Sequence, residues 1–238
     1  MAFPKLRHWQ VKCGAWIGTG AVLMSLAAPV LANGLVPEGA EPYRGPNTSG
    51  GRRGGCDVQN NLDLMALAPQ QYAGHTISTR PTLSWFVPDE TAYPLRLQIY
   101  KHNGSGWEDV VEDLDIGPSQ QGFMSYTLPA NLELEVGGWY RWHVVLICNP
   151  DRRSSDQVTG AEFEVVSQPA GFGAVQGDRV QQASQYAAAG LWYNAMALLS
   201  DTSLTSAEKA YRSQLLTELA EFENAAVSEQ LRLIAEFE

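Results

Sequence analysis

Residues that commonly carry catalysis are scarce in this sequence. It has four histidines and three cysteines among 238 residues, and it lacks G-x-S-x-G, C-x-x-C, H-E-x-x-H and any glycine-rich phosphate loop after a strand. Beyond the first 32 residues only His75, His102 and His143 remain, and none has a second histidine or a cysteine at a metal-ligand spacing. We therefore assign no catalytic residue, no cofactor and no metal ligand; a zinc site assembled from distant strands stays an alternative.

Long uncharged runs are also rare, and the longest lies at the start of the chain. Lys5, Arg7 and Lys12 precede an uncharged stretch over 14–32 that ends in "APVLA", with small residues at the positions that signal peptidase requires. This pattern predicts an export signal over residues 1–32 that is cleaved, leaving no membrane insertion. A retained anchor is the alternative, because about nineteen uncharged residues nearly span a bilayer. We expect an exported protein of the periplasm or cell surface.

Positive charge is in short supply in the mature chain. The sequence has 16 lysines and arginines against 26 aspartates and glutamates, and losing the signal takes its formal charge from −10 to about −13. Such a surface repels phosphate backbones, which excludes nucleic acid as a preferred partner.

Only two cysteines, Cys56 and Cys148, follow the predicted signal. In an exported chain the simplest prediction is a disulfide between them, with two free thiols as the alternative. Closing a loop of roughly a hundred residues contributes about 4–5 kcal/mol in the chain-entropy model.

Composition changes several times along the mature chain. Glycine, proline and small polar residues dominate residues 33–55, so this stretch is predicted to be a flexible linker. Arg52 and Arg53 make a small basic spot there, either solvated or a binding site. The predicted parts are the linker (33–55), a β-sandwich domain (56–168), a second linker (169–177) and a helical tail (178–238).

Strand signals fill the central part. In "PLRLQIYK" (94–101), Leu95, Leu97 and Ile99 alternate with polar residues, the period-2 pattern of a half-buried strand. Together with five other short segments separated by turns, this predicts an antiparallel β-sandwich of the immunoglobulin or fibronectin III type. The other segments are 81–88, 107–116, 123–129, 139–148 and 159–166.

A local motif supports a sandwich. Leu134, Gly137 and Tyr140 are spaced as L-x-x-G-x-x-Y, the arrangement of a tyrosine corner, in which the tyrosine hydroxyl bonds the backbone upstream. Together with Trp85 on an early strand and Trp142 on a late one, the motif is similar to the fibronectin type III arrangement.

The C-terminal part has helical periodicity. "GLWYNAM" (190–196) resembles the core of a tetratricopeptide helix, although only one such unit is visible. Thr205 and Glu208 form a capping box. We expect a helical hairpin or three-helix unit whose apolar face covers the sandwich, a second copy or a partner. Its expected apolar positions are Val180, Tyr186, Leu191, Met196, Leu199, Tyr211, Leu215, Leu219, Phe222, Val227, Leu231, Ile234 and Phe237.

Two features are candidate binding sites. Strand alternation places Trp139 and Arg141 on the side opposite Tyr140, so Trp139 and Trp107 are the candidates for an exposed platform that binds sugar rings. In the loop 149–156, Arg152 and Arg153 could hold an anion or a partner's carboxylate. The alternative for the loop is a solvated turn with local pairs to its aspartates.

Several segments together resemble a known family of cyanobacterial exported proteins, domain of unknown function 928. The segments are "GGRRGGC", "PTLSWFVP", "LEVGGWYRWHVVLICNPDRRSSD", "YAAAGLWYNAMALL" and "YRSQLLTEL". The resemblance implies cyanobacterial origin, export and a sandwich followed by a helical tail, and it implies no established activity. Here "DRRSSD" has one more arginine than the family pattern, which leaves open whether Arg152 or Arg153 is the family position.

Three hypotheses of function follow. The first is a non-enzymatic protein-interaction module that contacts a protein through the helical tail or the 149–156 loop. The second is a carbohydrate-binding module for envelope polysaccharide. The third is an envelope hydrolase, which requires an accessible cleft with converging acids or histidines.

Overall fold

The structure is a computed structural model that describes residues 35–37, 40–43, 56, 61–201 and 203–237; the side chains of 108–111 are not described. These residues form eight strands in two sheets and four helices. The strands are β1 (Met65–Ala66), β2 (Gly74–Thr76), β3 (Thr82–Val87), β4 (Pro94–His102), β5 (Trp107–Pro118), β6 (Gly122–Thr127), β7 (Trp139–Leu146) and β8 (Gln157–Val165). The helices are α1 (Arg179–Ala188), α2 (Trp192–Leu198), α3 (Ser206–Ala220) and α4 (Ala225–Ala235).

One sheet has three strands in the order β1-β3-β6, and the other has five in the order β2-β8-β7-β4-β5. Every pairing is antiparallel except that of β2 with β8. The six strands expected from sequence are all present, and the chain is mainly β with C-terminal helices, as predicted. Alternation sends Leu95, Leu97 and Ile99 into the core because successive side chains of a strand point to opposite faces.

The two sheets meet through large aromatic side chains. Trp85 on β3 and Trp142 on β7 are both fully buried, and their ring centroids lie 6.5 Å apart. The hydroxyl of Thr159 on β8 accepts a hydrogen bond from the Ala66 N–H on β1 at 2.8 Å. Both sheets therefore contribute to one hydrophobic core.

Helix α2 is part of this core and joins the two sheets. The indole N–H of Trp192 donates to the Leu67 carbonyl at 3.0 Å, next to the three-stranded sheet. The hydroxyl of Tyr193 accepts from the Trp142 indole at 3.0 Å, on the five-stranded sheet. Gly190 lies between α1 and α2 with φ +72°, and a β-carbon added to it would lie 3.1 Å from Pro37.

The last two helices, α3 and α4, contact each other and pack against the rest of the core. The predicted capping box of α3 is present, with the Thr205 side chain accepting from the Glu208 N–H. Leu215, Leu219, Leu231 and Ile234 are buried as expected. The expectation for Phe222 is wrong: it lies just past the end of α3 and is 36% exposed.

The segments on either side of β1 are held by hydrogen bonds from α4 and from Glu223, which lies just before α4. The Gln230 side chain accepts from the Asp63 N–H and donates to the Asn61 carbonyl. The Glu223 carboxylate accepts from the Gln70 N–H at 2.7 Å. Burial raises the pKa of Glu223. The helices thus fasten the start of the β region instead of standing apart from it.

The described part of 33–55 also contacts the body of the protein. Leu35 is buried in the common core, and its carbonyl accepts from the Tyr72 hydroxyl. Pro42 forms an isolated bridge with Tyr72. The predicted signal and Arg52 and Arg53 lie outside the described residues.

The predicted disulfide is confirmed: Cys56 and Cys148 are bonded across 92 residues of sequence. It ties the chain ahead of β1 to the segment that follows β7. Among the described helices, none has both the length and the hydropathy needed to cross a membrane.

Candidate binding face

The outward face of the five-stranded sheet carries a row of aromatic side chains at one end. Lys101 pairs with Tyr140 and His102 pairs with Trp107, so Trp139, His102 and Trp107 stand at the same end of three adjacent strands, β7, β4 and β5. Trp107 and Trp139 are both partly exposed. Because neighbouring strands are about 4.8 Å apart, the backbones that carry the two tryptophans are separated by about 10 Å.

Arg141 organises this end of the sheet. Its guanidinium lies 4.1 Å from the centroid of the Trp107 ring and 5.6 Å from that of Tyr43. His102 meets Trp107 edge-on, with centroids 5.0 Å apart. Cation–π contact and the edge-on histidine together orient the Trp107 ring. We call Tyr43, His102, Trp107, Trp139 and Arg141 the aromatic face.

A buried carboxylate lies beneath the aromatic face. Glu162 on β8 is 0% exposed, although it belongs to the outward side of the sheet. Its Oε1 accepts from Arg141 Nη2 at 2.6 Å and from Nε at 3.2 Å, and its Oε2 accepts from the Trp139 indole at 3.4 Å. The charge is thus paired and hydrogen-bonded, as a buried charge must be. Through Glu162, the two tryptophans share one network.

The next outward residue on β7, His143, is held uncharged. Its ring lies 5.3 Å from that of Tyr100, and its Nε2 is buried with no hydrogen-bond partner among the described residues. Burial, with the nearby Arg141 charge adding to it, lowers the pKa of His143 to about 4. Gly160 makes room for this ring, since an added β-carbon would lie 2.6 Å from His143 Cδ2 and 2.1 Å from the Trp142 carbonyl oxygen.

The two candidate arginines of the 149–156 loop have different surroundings. Arg153 Nε donates to Asp156 at 2.5 Å, within a short 3₁₀ turn, Arg153–Ser155. Arg152 is exposed, and its side chain has no ion pair or hydrogen bond within the described part of the chain. Arg152 is therefore the arginine of this loop that is open to an external carboxylate or anion.

The predicted tyrosine-corner residues are close together at the entry to β7. The Tyr140 hydroxyl accepts from the Glu135 N–H at 2.9 Å. Leu134 is buried, and Gly137 has φ +80°, a conformation that favours glycine. This hydrogen bond fixes the start of the strand that carries Trp139 and Arg141.

Sequence reasoning missed Glu162, Tyr43 and His102 as parts of the site. Alternation placed Trp139 and Arg141 on one side of β7, but it gave no sign that Trp107 of another hairpin stacks on the same arginine. Because Ala161 and Phe163 alternate into the core, alternation places Glu162 on the outward side of β8, but it gives no sign that the carboxylate is buried there.

Two features are expected of an enzyme, a metal-binding cluster and a cleft lined by acids or histidines. The described residues contain no group of three histidine, cysteine, aspartate or glutamate side chains able to hold a metal ion. One groove of about 360 Å³ lies beside α1 and is lined by small, apolar and amide residues. Its lining, which holds neither a carboxylate nor a histidine, is Gly171, Phe172, Gly173, Ala174, Gln185, Ala188 and Ala189.

The fold and this face define a mainly β protein with two sheets, C-terminal helices and an aromatic surface organised by a buried ion pair. The chain belongs to the family described as Domain of Unknown Function (DUF928), whose model matches residues 48–230. None of the curated protein sequences compared with the chain matches it.

Two solved structures show a distant similarity. One is a lytic polysaccharide monooxygenase important for utilization of chitin in Cellvibrio japonicus, at 12% identity and a TM-score of 0.28, over 39% of this chain and 54% of that one. The other is the vertebrate-specific, perforin-like membrane protein astrotactin-2, at 12% identity and a TM-score of 0.30, over 68% of this chain and 33% of that one. The chain spans about half the length of the first and a third of the second, and similarity this low says nothing about function.

Proposed function

We propose that this protein is a non-enzymatic binding module of the periplasm or cell surface, and that it holds an envelope polysaccharide on the aromatic face. The observation that carries the proposal is the placement of Trp107 and Trp139 on one face, two strands apart. The strands that carry them are about 10 Å apart, comparable to the length of a disaccharide, and both indoles are partly exposed to a ligand on this face.

The surroundings of the tryptophans suit this use. Ligand sites combine aromatic surface with a few fixed polar groups. Arg141 and Glu162 hold both indoles in one network, so little side-chain freedom is lost when a ligand binds.

The experiment is a titration of the mature protein with purified envelope polysaccharide, followed by tryptophan fluorescence and calorimetry. Trp107→Ala and Trp139→Ala are each expected to weaken binding at least tenfold, since a buried aromatic anchor contributes more than about 1.4 kcal/mol. Phe222→Ala is the matched control, because it removes a partly exposed aromatic ring from the far end of α3. Equal binding by all four proteins would rule out the aromatic face as the site.

A protein partner is the second candidate, supported by Arg152, which is exposed and makes no ion pair with any described residue. The helical tail has less apolar surface available to a partner, because α2 and the inner faces of α3 and α4 are buried in the common core. Cross-linking in the exporting cell should lose a reproducible partner in Arg152→Glu and keep it in Arg152→Lys and Arg153→Glu. Retention of the same partner in Arg152→Glu would contradict this candidate.

Export underlies both candidates and is supported by the predicted signal and by the disulfide, which persists in oxidising compartments. N-terminal sequencing of the protein recovered from the periplasm should begin at Asn33. A mature chain that still begins at Met1 would contradict cleavage.

A further inference from the structure

The turn that joins β4 to β5 contains an asparagine followed by a glycine, Asn103 and Gly104. Asn103, Gly104 and Ser105 are all exposed. Gly104 has φ +91°, and no described heavy atom, its chain neighbours apart, lies within 4 Å of the place that a β-carbon would take. The glycine therefore puts no side chain in the way of an approach of its backbone nitrogen to the amide carbon of Asn103.

A base contacts this backbone nitrogen. The Gly104 N–H donates to His102 Nδ1 at 3.1 Å. Since Nδ1 accepts, the imidazole is neutral and carries its proton on Nε2. A general base must lie within hydrogen-bond reach of the proton that it removes, at about 2.6–3.2 Å, and His102 meets this condition. The edge-on contact with the Trp107 ring, with centroids 5.0 Å apart, holds the imidazole in place.

The amide group of Asn103 is polarised by the same turn. Its Oδ1 accepts from the Ser105 N–H at 3.0 Å, the Ser105 hydroxyl at 2.9 Å and the Gly106 N–H at 2.9 Å. Donors aimed at a carbonyl oxygen stabilise the negative charge that develops there when the carbon is attacked. A nucleophile, a base and a set of oxyanion donors thus meet within five consecutive residues.

We propose that Asn103 is a site of deamidation promoted by the fold, in which Gly104 supplies the nucleophile and His102 the base. His102 Nδ1 removes the proton from the Gly104 nitrogen, and this nitrogen forms a bond to Asn103 Cγ that closes a five-membered imide ring. The Cγ–Nδ2 bond breaks, and the amide nitrogen leaves as ammonia with the proton that His102 had taken. Water then opens the imide at either carbonyl and leaves aspartate or isoaspartate, with no oxidant or reductant involved.

Either product changes the turn between two strands of the five-stranded sheet. Both replace a neutral amide by a carboxylate, and isoaspartate also lengthens the backbone by one methylene group. The turn is closed by a hydrogen bond from the Asn103 N–H to the Gly106 carbonyl at 3.0 Å, and it is flanked by His102 and Trp107 of the aromatic face. The modification is inferred from the turn itself and holds whether or not the aromatic face binds a glycan.

The test follows Asn103 in the folded mature protein over days at neutral pH. Samples are digested at acidic pH, where digestion itself causes little deamidation, and the peptides are quantified by mass spectrometry with an assay for isoaspartate. Asn103 is expected to convert to both products, each with one heavy oxygen when the incubation is in oxygen-18 water.

Asn149 is the internal control for this experiment. It is exposed, and its Oδ1 accepts from the Asp151 N–H at 2.9 Å, but Pro150 follows it and has no N–H that could become a nucleophile. Asn149 should therefore keep its amide while Asn103 loses it. Retention of the amide at Asn103 to the same extent as at Asn149 would overturn the proposal.

Two variants test the parts of the turn. His102→Phe keeps an aromatic ring beside Trp107 but removes the base, and it should slow the conversion at least about tenfold. Ser105→Ala removes one donor to the Asn103 amide oxygen at an exposed position and should slow the conversion severalfold. Wild-type rates in either variant would overturn the role given to that residue.

Conversion in urea separates the effect of the fold from that of the local sequence. The contact between His102 and Gly104 belongs to the folded turn, so unfolded wild type and unfolded His102→Phe should convert at the same rate. Circular dichroism checks that the variant is folded in buffer. A difference between the two proteins that persists in urea would overturn the promotion of the reaction by the fold.

Discussion

Arg141 and Glu162 form an ion pair 2.6 Å long on the outward side of a sheet, with Glu162 0% and Arg141 12% exposed. An outward strand position ordinarily leaves its side chain in water. Here Tyr43, Trp107 and Trp139 surround the pair and exclude water from it. The pair holds both candidate ligand-binding tryptophans, so its loss should affect their geometry as well as stability.

Glu162→Gln is expected to lower the free energy of unfolding by about 3 kcal/mol, because it leaves the Arg141 charge buried without its counter-charge. The same variant should change the near-ultraviolet circular dichroism, since the Trp139 indole and the Arg141–Trp107 stack both depend on this carboxylate. Urea unfolding and the dichroism spectrum measure the two effects.

The double variant Arg141→Met with Glu162→Met is the control for this prediction. It removes both charges together and should recover most of the lost stability, because an apolar pair of similar volume replaces a buried ion pair at little cost. If the single and double variants lose the same free energy of unfolding, the loss in Glu162→Gln does not come from an unpaired buried charge.

Tyr140→Phe should destabilise the protein by about 1 kcal/mol, because the Glu135 N–H loses its acceptor. Tyr126→Phe is the matched control, since the Tyr126 hydroxyl makes no hydrogen bond within the described residues. Chemical denaturation of the two variants in parallel gives the comparison. If Tyr126→Phe lowers the free energy of unfolding as much as Tyr140→Phe does, the stabilising role of the Tyr140 hydroxyl is contradicted.

His143 should make the protein less stable in acid. Its folded-state pKa is about 4, against 6.5 in the unfolded chain, so between these values the unfolded state binds a proton that the folded state does not. Stability attributable to this residue is therefore complete above pH 6.5 and falls as pH is lowered toward 4, by about 2–3 kcal/mol. Unfolding free energies from pH 7.5 to pH 4 measure the effect.

Replacing the histidine isolates its contribution. As pH falls from 6.5 toward 4, the free energy of unfolding should decrease less in His143→Gln than in wild type. Parallel curves for the two proteins would show that His143 does not titrate between the folded and unfolded states.

Loss of the disulfide should cost about 4–5 kcal/mol, because the bond closes a long loop in the unfolded chain. The free energies of unfolding of wild type and of the double variant Cys56→Ser with Cys148→Ser are compared by denaturant unfolding in oxidising buffer. The difference between them should disappear when a reductant is added. Thiol titration of the denatured mature protein should find no free thiol. Two free thiols would contradict the bond.

Much of the fold could be predicted from local patterns in the sequence. Alternation found β4, which is long enough to repeat its period several times, and β-rich runs between turn residues indicated the other five strands from β3 to β8. The capping box found the start of α3. Strands β1 and β2 were missed because two or three residues cannot show a period. Phe222 was misplaced because the helix ends before its side chain reaches the core.

The sequence by itself determined the strand alternation that turns Trp139 and Arg141 outward, the capping box of α3 and the presence of just two cysteines after the predicted signal. Only the tertiary structure decided that Trp107 stacks on Arg141 and that Glu162 is buried beneath both. It also decided that α2 joins the two sheets. The reason is physical: propensity, alternation and capping act between neighbours in sequence, whereas these contacts depend on strand register and packing between distant segments.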